Sequence, residues 1–280
     1  MTAIFKRELK SYLTSMVGYL FIFFVLVLTG IYFSAYQLSG GYSKFETTLS
    51  ALTFVFLIGV PILSMRVLAE ERKQKTDQLL LTAPVSVWDI VFGKYLALVA
   101  VFAIPVVIMC VYPLIMSKFG TISYASAYTG ILGFFLLGCA NLAIGVFMSA
   151  LTESQVIAAV LTFVFLFAFY MMNGISSFFS QTSMSTAVAI AIIIYTMIKN
   201  VLISVVIGAV GEIALVIVYV VKSSIFQGGI QKVLNVFNLS GHYDNFTKGV
   251  FDVTGIVYFI SVIAICLFLT MQSIQKRRWN

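Results

Sequence analysis

Charge is what this sequence most lacks. Only 10% of its 280 residues are Asp, Glu, Lys or Arg, against about 25% in an average soluble domain, and its mean hydropathy is +1.07. That scarcity excludes a water-soluble globular protein. Histidine occurs once and cysteine three times. Cys110, Cys139 and Cys266 each stand alone inside an apolar segment, so the paired spacing of a zinc or redox site is missing, and they read as packing residues. His242 has Asp244 beside it, but two ligands are too few for a metal site. No G-x-x-x-x-G-K-[ST] loop occurs, which excludes ATP binding of the Walker type. No Ser/His/Asp or paired-carboxylate constellation points to catalysis by the chain itself.

What is present is a succession of apolar runs, several near or above the ~20 residues that an α-helix needs to cross a bilayer. None alternates as a barrel strand would. The expectation is an all-α, polytopic transmembrane bundle formed by one domain, 1–280. "MTAIFKRELKSYLTS" places Ile4, Phe5, Leu9, Tyr12 and Leu13 at helical spacing with Lys6, Arg7 and Lys10 elsewhere on the helix, an interfacial helix over 1–15. The first span, Met16 to Gln37, is long and lacks a small-residue cleavage site, so it reads as retained rather than as a signal peptide. A second span runs from about Thr48 to Val67. A third runs from Trp88 to Met116, with Pro105 and Pro113 as expected kinks. Its start carries an S-x-x-D capping box, Ser86 and Asp89. The fourth, about Ala125 to Ala150, is rich in Gly and Ala, which allows close helix approach. Thr152 and Gln155 form a second capping pattern and open the fifth span, which ends near Gly174. Asn141 and Asn173 are expected to bond between helices.

Two further apolar stretches lie between Thr186 and Val221, turning at Lys199 and Asn200, and read as an extra hairpin. An amphipathic segment follows over 223–252, and a last span runs from about Val253 to Met271. The count is about eight spans, six core and two extra. With both termini in the cytoplasm, Lys44, Lys118, Lys222, Lys232 and Lys248 fall outside, and the other twelve of the 17 Lys and Arg residues fall inside. The positive-inside rule favours that orientation. The net charge of +7 therefore sits at span ends and serves membrane orientation; no basic patch suggests nucleic acid.

One run does not fit a mere connector. "AEERKQKTDQLLLTAPVS", Ala69 to Ser86, lies on the cytoplasmic side and places Leu79, Leu80, Leu81 and Ala83 in a short helix. Those leucines either rest on lipid headgroups or dock in a groove on a soluble protein.

The stretches "FKRELKSYLTSMVGYLF", "PILSMRVLAEERKQKTDQLLLTAPVSVWDIVFGKYLA", "GFFLLGCANLAIGVFMSALTESQVIAA" and "GVFDVTGIVYFISV" with the terminal "KRRW" resemble permease subunits of type-2 ABC exporters. The resemblance is strongest to the gliding-motility branch and to its relatives in nitrous oxide reductase maturation. It implies a coupling-helix segment over 66–86 that meets a separate ATPase. There Glu70, Glu71, Arg72 and Lys73 would set register and charge fit, and Leu79, Leu80 and Leu81 would supply buried contact, with Thr76, Thr82 and Pro84 as further motif positions. It also implies that 1–15, with Phe5, Arg7 and Glu8, is an elbow helix; the orientation from the charge count places 223–252 on the non-cytoplasmic side. ATP and Mg would sit on the partner ATPase, with no cofactor on this chain. A second permease copy or a sister permease would complete the assembly in a bacterial cell membrane. The family commonly has Gly where this chain has Lys75, and Glu where it has "DQ".

Glu212 is the one carboxylate well inside a predicted span, which makes it a candidate functional acid. Its other readings are a protonated or hydrogen-bonded structural group. Two alternatives to the exporter stand beside it: a self-sufficient secondary transporter or channel, which would need several such groups, and a non-transporting anchor or mechanotransmitter.

Overall fold

In lipid an apolar run satisfies its backbone by forming a helix, and in the computed structural model all regular structure among the described residues is helical. The structure describes residues 1–75, 86–179 and 238–279, with side chains as far as 172 and 276 in the last two stretches. Among the described residues six helical stretches are long and apolar enough to cross a membrane: Met16–Ser39, Glu46–Lys73, Val87–Met116, Tyr124–Leu151, Gln155–Met172 and Val253–Lys276. They coincide with the six core spans expected from the sequence. The extra hairpin and residues 223–237 lie outside the described residues. The chain forms two compact units, Met1–Ala168 with His242–Asn280, and Phe169–Gly241. The second is described only at its two ends, where α9 (below) closes and where the Gly241 amide donates to Asn238 Oδ1 at 2.8 Å.

Helix α1 (Thr2–Thr14) ends at Ser15, whose extended backbone (φ −93°, ψ 150°) turns the chain into α2 (Met16–Phe33). The corner is tight at Gly18, where a Cβ would lie 2.2 Å from the Tyr12 carbonyl oxygen. α2 continues through a π-helical turn, Ser34–Ser39. The second span comprises α3 (Glu46–Ala51), a 3-10 turn and α4 (Val55–Ser64), and after a break come the five residues of α5 (Ala69–Lys73).

The third span is α6 (Val87–Met109) followed by α7 (Val111–Met116). Ser86 Oγ accepts from the Asp89 amide at 3.1 Å, as the capping spacing predicts. α6 runs on through Pro105, and the break falls at Cys110, just ahead of Pro113. A proline lacks the N–H for residue i−4 and crowds that carbonyl, here Met109, so a break one turn before Pro113 is where the strain falls. α8 (Tyr124–Leu151) and α9 (Gln155–Phe179) follow. Between them Thr152 Oγ1 accepts from the Ser154 amide at 3.1 Å. The expected capping box to Gln155 is thus replaced by a tight hydroxyl turn, because Ser154 offers its amide closer along the chain. The chain closes with α10 (Leu239–Thr247) and α11 (Val253–Trp279).

α8 is the axis of the first unit. Its most apolar window is 78% buried, against 17–28% for the windows in α2, α9 and α11. Small residues make that possible. A Cβ on Gly145 would lie 2.4 Å from Ser64 Oγ, and one on Gly138 would lie 2.3 Å from the Phe102 ring. Asn141, expected as an interhelical bonding group, is buried on α8 without a side-chain partner among the described residues. The polar link between helices falls instead to Ser149, described below.

At the end of the unit away from α1, the Tyr243 hydroxyl donates to the Gly130 carbonyl at 3.4 Å, and Phe246 packs where a Cβ on Gly133 would be 2.6 Å away. Asp252 caps α11 there, accepting from the Thr254 amide at 2.9 Å and from Asn245 Nδ2 at 2.7 Å.

Candidate functional site

A helix that stops inside a membrane protein leaves backbone groups that need other partners. Between α4 and α5 the amides of Leu68 and Ala69 both donate to Ser149 Oγ at 3.1 Å, and that hydroxyl donates to the Met65 carbonyl at 3.3 Å. The Val67 carbonyl accepts from Lys94 Nζ at 2.9 Å. Side chains from α8 and α6 thus hold open a defined break in the chain, immediately ahead of the polar segment.

Lys94 is the centre of the site. Its side chain is only 2% exposed, and its ammonium lies 2.8 Å from Glu71 and 3.3 Å from Glu8. Arg7 bridges the same two carboxylates, at 2.7 Å to Glu8 and 3.2 Å to Glu71. A buried ammonium persists only with charged partners and filled hydrogen bonds, and here two carboxylates and one carbonyl supply them. The Glu8 hydrogen bond, with the charge of Glu71, holds the Arg7 guanidinium above its ordinary value. Arg66 Nε donates to Glu70 Oε2 at 2.7 Å, one turn along. The Tyr12 hydroxyl donates to the Leu63 carbonyl at 3.2 Å, and burial raises the pKa of that phenol. Three pieces of chain, α1, 63–71 and the start of α6, are therefore locked into one corner. Between them opens a cleft of about 350 Å³ whose wall includes Arg7, Ser11, Arg66, Glu70, Glu71 and Lys94.

The sequence-predicted residues distribute unevenly over this corner. Glu71 turns inward to Lys94 and Arg7, Glu70 pairs with Arg66, Arg72 is buried and Lys73 is exposed. Glu8 and Arg7 belong to the cluster, while Phe5 is half-buried on α1. Thr76, Leu79, Leu80, Leu81, Thr82, Pro84 and Glu212 lie outside the described residues. Lys94 and Ser149 escaped the sequence reading. The signal for Lys94 was a lone lysine two turns inside an apolar span, which cannot stay there unpaired. Ser149 carried no comparable signal.

Lys75 closes α5 in the left-handed region, with φ 56°, its amide bonded to the Arg72 carbonyl at 3.0 Å. Helices commonly end this way on glycine. The Gly common at this position in type-2 exporter permeases thus meets a backbone demand that Lys75 meets under strain.

A family model described as ABC-2 family transporter protein matches residues 28–230 of the 280. The chain belongs to that family. No curated protein matches the chain in a sequence search. As an ABC-2 family protein with several membrane-spanning helices, the chain is a multi-pass membrane permease component of an ABC transporter. The matched range contains the whole of 66–86 and Lys94. It leaves α1, α10 and α11 to the structure, which ties α1 to the matched part through the Lys94 cluster.

Proposed function

We propose that this ABC-2 permease is the membrane-spanning half of an ATP-driven exporter in a bacterial cell membrane. In this reading 66–86 is the cytoplasmic coupling segment, a separate ATPase carrying ATP and Mg docks on it, and a second permease copy or a sister permease completes the pair. Closure of the ATPase dimer would push on 76–85, and a push is useful only if the segment's ends are anchored to the spans that must move. The observation that carries the proposal is the Lys94 cluster, which fastens one end of the segment to α1 and to α6. α6 itself begins at the other end, capped by Ser86. Both ends of the segment therefore meet on one helix. Leu79, Leu80 and Leu81 would supply the buried contact and Lys73 an exposed charge at the rim, where charges set encounter and register more than affinity.

The test is co-expression with the neighbouring genes and purification in mild detergent. Wild type is expected to bring the ATPase down, Leu79→Asp/Leu80→Asp to lose it, and Lys94→Met to keep it while ATP turnover uncouples from transport in vesicles. Absence of any ATPase with wild type, or full assembly and turnover in the Leu79→Asp/Leu80→Asp variant, would overturn the proposal.

A further inference from the structure

The cleft beside the Lys94 cluster has more binding capacity than its own ion pairs consume. Arg66 uses Nε for Glu70, and Arg7 uses Nη2 for Glu8 and Glu71. Among the described residues the remaining guanidinium N–H groups of both arginines have no protein partner, and both arginines line the same cleft. Two guanidinium forks facing one space are a phosphate-binding arrangement. The same wall carries Glu8, Glu70 and Glu71 against Arg7, Arg66 and Lys94, three charges of each sign. A net anionic ligand would add a negative charge to a cleft already balanced, whereas a ligand with one phosphate and one ammonium would leave the balance intact.

The position of the cleft selects among such ligands. Ser15, at the corner between α1 and α2, lines it, and the chain beyond that corner exposes Met16, Tyr19, Leu20 and Phe23. This apolar face begins the first membrane-spanning stretch. A polar cleft that opens where a spanning helix enters the bilayer is placed to take a headgroup while acyl chains follow the helix. We propose that the cleft binds a zwitterionic phospholipid whose headgroup carries a primary ammonium. The phosphate meets the free guanidinium groups of Arg66 and Arg7, and the ammonium meets Glu70. A primary ammonium donates hydrogen bonds to a carboxylate and a trimethylated one does not, so phosphatidylethanolamine is the fitting member of the class. Lipid binding here depends on the bilayer and the cleft, and it stands or falls independently of ATPase docking.

The experiment is native mass spectrometry of the full chain released from nanodiscs containing equal phosphatidylethanolamine, phosphatidylcholine and phosphatidylglycerol. Wild type is expected to retain phosphatidylethanolamine several-fold over the other two. Arg66→Ala is expected to abolish that preference. Ser11→Trp, which fills the cleft while leaving every charged residue in place, is expected to abolish it as well, so a folding defect of the arginine variant alone does not decide the result. Equal retention of all three lipids, stronger retention of phosphatidylglycerol, or a preference that survives both variants would overturn the proposal.

Discussion

Lys94 shows how much a single buried charge can organise. Replacing it by Met removes the ammonium from two carboxylates that stay largely buried and from the Val67 carbonyl. Breaking a buried pair by removing one partner costs about 3 kcal/mol or more. We expect a lower unfolding temperature in detergent for Lys94→Met, partly restored by Lys94→Met/Glu71→Gln, which withdraws one stranded charge. Asp252 acts at the opposite end with a definite pH sign. Hydrogen bonds, first that from Asn245, hold its carboxyl below the ordinary aspartate value, which is about 3.9. Its contribution is therefore present above that value and is lost as pH falls through the lower folded one. Amide exchange at the start of α11 is expected to accelerate in that acid window in wild type, after correction for intrinsic rates, and to lose this dependence in Asp252→Asn.

At the scale of elements, the corner between α1 and α2 depends on Gly18, and the seat of α1 on α6 depends on Gly93, where a Cβ would lie 3.4 Å from Ile4 Cβ. That spacing is close to what a disulfide requires. Ile4→Cys/Gly93→Cys, with the three native cysteines replaced by Ser, is expected to cross-link under mild oxidation. Adding Gly18→Val is expected to suppress the cross-link, since the new side chain meets the Tyr12 backbone. Lys75→Gly relieves a left-handed residue at the end of α5, a strain of about 1 kcal/mol. A higher unfolding temperature in detergent would check it.

Much at this scale was legible in the sequence. Apolar runs gave the spans, Ser86 and Asp89 gave the start of α6, and the Gly and Ala content of α8 foretold close packing. The Lys94 cluster was not legible as a unit, because Lys94 and Glu8 lie 86 residues apart and local pattern says nothing of which distant carboxylate an ammonium will meet. Ser149 was hidden for the same reason, since side-chain type does not reveal what a helix face will find opposite.

At the scale of the whole molecule, burial separates one helix from the rest. The α8 window is 78% buried and that of the fifth span only 17%, so changing an apolar side chain to leucine should matter in the first and little in the second. Ala143→Leu, at a fully buried α8 position, is expected to cost about 1–3 kcal/mol by overpacking, while Val160→Leu on the exposed face of α9 should be nearly neutral. Thermal stability in one detergent would compare them directly. The packing order also carries a consequence for how the protein is made. α11 covers α8 more extensively than any other described pair of elements pack, yet about a hundred residues separate the end of one from the start of the other. During synthesis the face of the central helix that α11 covers must therefore wait in the bilayer until the last span arrives. A nascent chain halted before residue 253 would be inserted but incompletely assembled, and so a natural substrate for membrane quality-control proteolysis.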